Sequence, residues 1–268
     1  MHLVGQIIRL CAACAALARA ALAFAGRPPA PRADRRGDVL LAIAVALHLL
    51  ILGARAYAVR FIPLGGISDV LVLLSLLVLV VFRLAGQPLQ QAPIVAAACA
   101  ASAALLAASM LSPSADALPA ALRSAMLPVH VIGAISAYAC LTLNFVLCSY
   151  LALRSLRQRP PAALPTGAEV LAKRSALLGW ALYGGFALVA GAIWAKLAWG
   201  RLWGWDPKET LSLIVFCAYS LYVYFEVVVW PRSRVLCCVL SALAYAALLA
   251  SVISGARLAG LHSSHQVP

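Results

Sequence analysis

Long apolar runs alternate with short polar connections along the whole chain. Eight apolar segments stand out, at about 3–25, 39–59, 67–84, 92–112, 129–153, 175–198, 209–230 and 234–253. Each reaches or exceeds the roughly 18–20 residues that a helix rising about 1.5 Å per residue needs to cross a hydrocarbon core. No alternating in–out pattern of the kind barrel strands show is present, and a spanning chain must satisfy its own backbone. The pattern predicts an all-α, polytopic transmembrane helix bundle of about eight spans. No polar stretch is long enough to enclose a core of its own. The first segment contains Arg9 and Arg19, and no small-residue cleavage site precedes "GRPPAPRADRRGD". It therefore reads as a span rather than a removed signal.

The connections divide the chain into a four-span half at 1–124 and a second half at 125–268. The Pro-rich stretches 27–37 and 159–166 read as solvated linkers, because Pro removes a donor and resists helix. The seventh span has a visible start in "DPKE": Asp206 as N-cap, Pro207 at the first helical position and Glu209 three residues after the cap. Both acids then favour the positive end of the helix.

Composition adds orientation. The chain is 65% hydrophobic and carries a formal net charge of +13. In a membrane protein such a charge is first a matter of topology, since Lys and Arg collect in cytoplasmic loops. Arg27, Arg32, Arg35 and Arg36 precede the second span, and Arg83 ends the third. Arg154, Arg157, Arg159, Lys173 and Arg174 lie between the fifth and sixth, and Arg232 and Arg234 between the last two. With eight spans all four groups fall on one side, which places both termini on the exoplasmic face. The basic residues form no soluble stripe, so the bilayer is the expected partner and nucleic acid is not. The eight Cys all lie within apolar runs and read as small buried hydrophobes. Cys11 and Cys14 have redox spacing without the context of a redox or haem-attachment motif.

The exoplasmic stretch "AWGRLWGWDPKET" at 198–210 does not follow from helix punctuation alone. Trp194, Trp199, Trp203 and Trp205 crowd into twelve residues beside Gly200 and Gly204. One or two Trp would be an interfacial belt. Trp199 and Trp203 share a face if the stretch is helical. With Lys196, Arg201 and Lys208 nearby, the cluster also suits a flat apolar ligand bearing carboxylates, and haem is such a ligand. His130 starts the fifth span and His262 follows the eighth, both on the same predicted face. Either could be an ordinary surface His, or the pair could supply axial imidazoles to haem iron. His265 could stand in for His262. His48 lies mid-span, where an ionisable side chain is either functional or a hydrogen bonder in the bundle interior. Arg55 and Arg60 either snorkel or face an anion. Asp69 either caps the third span or pairs with one of them.

These residues resemble a known family. "GAIWAKLAWGRLWGWDPKET" resembles the Trp-rich WWD segment of the haem-handling proteins of cytochrome c biogenesis, closest to the CcsA/ResC branch of system II rather than to CcmC or CcmF. "GLHSSH" resembles that branch's closing "GLHSYG" pattern, and "LPVHVIGAISAYA" the segment with its first external His. The likeness covers roughly 125–265. It implies that haem b is held at the exoplasmic face of the inner (cytoplasmic) membrane by the Trp segment and Asp206, with His130 and His262 on the iron. It further implies a ResB-type membrane partner and transfer of haem to the thiols of apocytochrome c, as part of a cytochrome c synthetase (haem lyase). HemX-like relatives share the architecture, so a non-catalytic accessory or regulator of haem metabolism is the alternative. One position departs from the pattern. Tyr224 stands where the branch often has an internal His, and Tyr224 and His48 are the candidates to replace it. A transporter unrelated to haem would need polar groups or broken helices at mid-membrane, and apart from His48 the apolar runs here read as nearly pure Ala, Leu and Val.

Overall fold

The computed structural model describes residues 6, 8–13, 15–17, 35–64, 66–85, 92–112, 124–157, 167–226 and 234–264, the stretch 255–264 by its backbone alone. The described residues are helical nearly throughout, with no strand among them. The order is α1 (Ile8–Leu17), α2 (Arg35–Val59), α3 (Ile67–Leu84), α4 (Ala92–Leu111), α5 (Met126–Arg157), α6 (Gly167–Leu182), a π-helical turn (Tyr183–Ala190), α7 (Gly191–Trp199), α8 (Pro207–Tyr224) and α9 (Arg234–Ser264). α6, the π turn and α7 run on as a single rod. Six described helices are long and apolar enough to cross a bilayer, and the chain is a multi-pass membrane protein. α8 begins with Pro207, Lys208 and Glu209 and turns apolar only from Leu211, so its polar first turn lowers its mean hydropathy. Most of the first predicted span, residues 27–34 of the first Pro-rich linker and all of the second lie outside the described residues. So do the connection at 227–233, the tail from His265 and the His262 side chain.

The contacts divide the chain into two compact units, Met1–Leu118 and Pro119–Pro268. In the first, small residues let helices approach closely: Ala12, Ala16, Ala44, Ala96 and Ala103 are buried among Ile51, Val72, Leu79 and Leu106. Polar side chains tie the packed faces together. The Ser75 hydroxyl donates to His48 Nε2 at 2.8 Å and in turn lies 2.7 Å from the Ser102 hydroxyl, which can donate to it. His48 Nδ1 donates to the Ala44 carbonyl at 2.7 Å. Arg55 forks onto Asp69 at 2.9 and 3.1 Å. The buried Arg9 donates to the Ser109 carbonyl at 3.0 Å, and Ser68 reaches the same carbonyl oxygen.

In the second unit, α6 presents Ala168, Ala172, Ala176 and Gly179 at helical spacing, all buried. A Cβ on Gly179 would lie 2.6 Å from Leu141 Cδ2 of α5, so the small stripe is what allows that approach. Four helices then meet at Asn144. Its amide donates to the Ala172 carbonyl at 3.0 Å and to Tyr222 Oη at 2.9 Å, and its oxygen accepts from Ser241 at 2.9 Å. Cys148 Sγ lies 3.2 Å from Tyr222 Oη, and the Cys237 thiol donates to the buried Glu226 carboxylate at 2.9 Å. Thr142 and Tyr245 make a further link between α5 and α9 at 3.0 Å. The apolar pattern alone missed this knot, because one Asn and a few hydroxyls barely change the hydropathy of a run.

Candidate functional site

The site is built by the first turn of α5, the π turn, α7 and the loop 200–206. His130 enters from α5 and is held on three sides. Its Nδ1 lies 2.8 Å from the Phe186 carbonyl oxygen in the π turn. The Trp194 indole stacks on the imidazole, 8° from parallel with centroids 6.0 Å apart. Gly191 lies under the ring edge: a Cβ there would sit 2.8 Å from His130 Cε1 and 3.0 Å from Nδ1. Two helices can approach this closely because Gly133 of α5 leaves room for the Phe186 ring. Among the described residues, His130 Nε2 takes no hydrogen bond.

The loop after α7 follows from local chemistry. Gly200 adopts φ +78°, and its N–H donates to the Lys196 carbonyl at 3.0 Å. This left-handed cap stops the helix. The Lys196 ammonium donates to the Gly200 carbonyl at 2.8 Å. The α8 start is a complete capping box: the Glu209 N–H donates to Asp206 Oδ1 at 2.7 Å, and the Glu209 carboxylate accepts from the Asp206 N–H at 3.4 Å. The same carboxylate oxygen also accepts from the Gly204 N–H at 2.6 Å. Glu209 thus fixes the loop on both sides of Trp205, a non-glycine residue at φ +58°. Such a backbone persists only where its surroundings over-determine it. Glu209→Ala is expected to free both amides and lower stability by about 1–2 kcal/mol. Thermal unfolding of detergent-solubilised protein, followed by Trp fluorescence, measures it.

The aromatic groups form two edge-to-face pairs, Trp194–Trp199 with centroids 6.3 Å apart and Trp203–Trp205 at 5.8 Å. Trp199 and Trp205 are 57% and 70% exposed, a large apolar display for side chains of this size. The indole N–H groups of Trp194 and Trp203 are buried, and neither has a partner among the described residues. A buried donor left without an acceptor is costly unless something arrives to meet it. Val189, Ile193 and Leu197 form an exposed apolar stripe at four-residue spacing on the same rod.

Residues 39–261 match the family described as Cytochrome C assembly protein. The chain belongs to that family. It is also similar to proteins named cytochrome c biogenesis protein CcsA. It is 41% identical over 59 residues to that of Prochlorococcus marinus (strain MIT 9312), covering 22% of this chain and 19% of the relative. For Synechococcus sp. (strain RCC307) it is 39% over 64 residues, 24% and 20% of the two chains. For Cyanophora paradoxa it is 44% over 41 residues, 15% and 13%. The alignments span a fifth or less of each of these relatives.

Within this cytochrome c assembly protein, the fold brings His130 of α5 against Trp194, which pairs with Trp199 on α7, while Trp203 and Trp205 pair in the following loop. Arg201 folds over Gly204, where a Cβ would lie 2.7 Å from its guanidinium carbon. Lys208 is exposed on the first turn of α8, and Asp206 is occupied by its capping bond. Trp199 and Trp203 do not share a helical face, because Gly200 ends the helix between them. Tyr224 is 54% exposed at the end of α8, while Tyr222, one half-turn earlier, is the fully buried tyrosine of the Asn144 knot. His48 uses both ring nitrogens within the first unit. His262 belongs to the last turn of α9. Sequence reasoning missed the Phe186 carbonyl, Gly191 and the second bond of Glu209. A backbone carbonyl leaves no mark in a sequence, though the Gly184–Gly185 pair and Gly191 within one span were a usable signal of close approach.

Proposed function

We propose that the chain binds haem at the exoplasmic face of the inner membrane and presents it for covalent attachment to apocytochrome c. The observation that carries this reading is the His130 imidazole, fixed at Nδ1 and open at Nε2 beside a Trp stack, in a member of the cytochrome c assembly family. Haem fits the donor set. Neutral imidazole binds haem iron, and Lys196, Arg201 and Lys208, on α7, the following loop and the first turn of α8, suit carboxylates. Exposed Trp199 and Trp205 offer aromatic faces to a macrocycle. His262 would be the second ligand to the iron in this reading, and the positive-inside distribution of Lys and Arg supports an exoplasmic position for both His.

When bound, haem supplies the vinyl groups that accept the thiols of apocytochrome c. The chain would supply position: His130 would hold the iron and the exposed Trp199 and Trp205 would offer faces to the ring. Positioning of this kind can provide most of a rate enhancement without an acid or base. A ResB-type membrane partner would complete the synthetase. Deleting the gene is expected to abolish covalently attached haem in c-type cytochromes, read by in-gel haem staining under denaturing conditions. Undiminished covalent haem in the deletion strain would favour the alternative, a HemX-like accessory protein.

A further inference from the structure

The geometry points to a positioning role for the π-helical turn Tyr183–Ala190: it delivers the Phe186 carbonyl to His130 Nδ1, fixing the imidazole in the Nδ1–H tautomer and presenting Nε2 as the metal-binding nitrogen. The inference deepens the reading of His130 as an iron ligand and rests on it. In a π register the Phe186 carbonyl faces the Gly191 amide, five residues on, and that amide also reaches the Leu188 carbonyl. A carbonyl oxygen can accept twice, and the Phe186 oxygen of this widened turn meets His130 Nδ1 at 2.8 Å.

A carbonyl oxygen can only accept, so the proton of the neutral ring sits on Nδ1 and the lone pair on Nε2. The bond at one ring nitrogen sets what the other can do, and a hydrogen-bonded imidazole is a stronger donor to a metal. The Trp194 stack and the absence of a side chain at Gly191 fix the ring plane, so Nε2 has one direction to face. π turns arise when a helix accommodates one extra residue while the flanking turns stay in phase. Removing one residue should thus restore an α register without rotating α6 against α7. Gly185 is the position to remove, since it is exposed and a Cβ there would meet nothing within 4 Å.

The test needs no haem. Full-length, haem-free protein with ¹⁵N-labelled histidine is examined by NMR in detergent micelles, and the His130 signals are assigned by their loss in His130→Gln. The wild-type ring is expected to show a protonated Nδ1 and a bare Nε2. The protein lacking Gly185 is expected to relax toward the Nε2–H tautomer. An Nε2–H ring in the wild type, or an unchanged Nδ1–H ring after the deletion, overturns the proposal. If the deletion protein does not fold, Gly191→Ala takes its place: its methyl enters the Cε1–Nδ1 edge of the ring and is expected to break the same bond. An unchanged Nδ1–H tautomer there overturns the proposal equally. In haem-loaded protein, loss of the bond is expected to raise the haem reduction potential, and an unchanged potential contradicts the role. Unaltered haem ligation in His130→Gln would instead sink the ligand reading itself, a separate outcome from the tautomer result.

Discussion

Asn144→Leu is expected to destabilise the second unit by about 2 kcal/mol, the largest stability effect of any single side chain considered. The substitution nearly preserves volume, so the loss isolates the polar term. Asn144 makes three bonds of 2.9–3.0 Å, to α6, α8 and α9. Interhelical hydrogen bonds in membrane proteins average roughly 0.6 kcal/mol each, and the groups they leave behind find no water. Three lost together give the figure, with the Ser241 hydroxyl losing its acceptor and the Tyr222 hydroxyl keeping only the Cys148 sulfur. Tyr222→Phe is expected to cost less, because Asn144 keeps its bonds to Ala172 and Ser241. Reversible unfolding in mixed micelles, followed by circular dichroism, orders the two. Equal stabilities of Asn144→Leu and wild type would show that the knot is packing alone.

How far the architecture was readable differs from element to element. The run 67–84 coincides with α3 (Ile67–Leu84) and 92–112 nearly with α4 (Ala92–Leu111). Crossing a bilayer leaves a chain no choice but a long apolar helix, and composition alone records that. The start of α8 was also legible, since Asp206 and Glu209 each accept from an amide that a helix N-terminus exposes and Pro207 carries no amide to satisfy. The interior was less so. Asn144, Ser75 and Ser102 pair across helices, and a hydropathy pattern carries no information about which faces meet. The π turn was invisible for a related reason: its sequence YGGFALVA is as apolar as its neighbours, and only the backbone bonds distinguish it.

The site shows the same divide. Type and spacing brought out His130 and the four Trp residues, because few membrane helices concentrate so many aromatic side chains with an imidazole nearby. They did not reveal that Gly200 would break the stretch into a helix and a loop. The result is two separate indole pairs, not one stripe. Nor did they reveal that Glu209, half of an ordinary cap, also holds Gly204 and so shapes the loop that displays Trp205.

The second large effect, and the most direct test of the account, is the haem spectrum of His130→Ala. Removing the imidazole leaves the exposed Trp faces in place but takes away the nitrogen fixed by Phe186. The variant purified in detergent is expected to lose at least about tenfold of its bound haem, equivalent to roughly 1.4 kcal/mol or more. The remainder should have an altered Soret band and a changed spin state. Added imidazole, small enough to occupy the vacated position, is expected to restore the wild-type spectrum. A His130→Ala protein that retains full haem with an unchanged spectrum, indifferent to imidazole, would contradict the account.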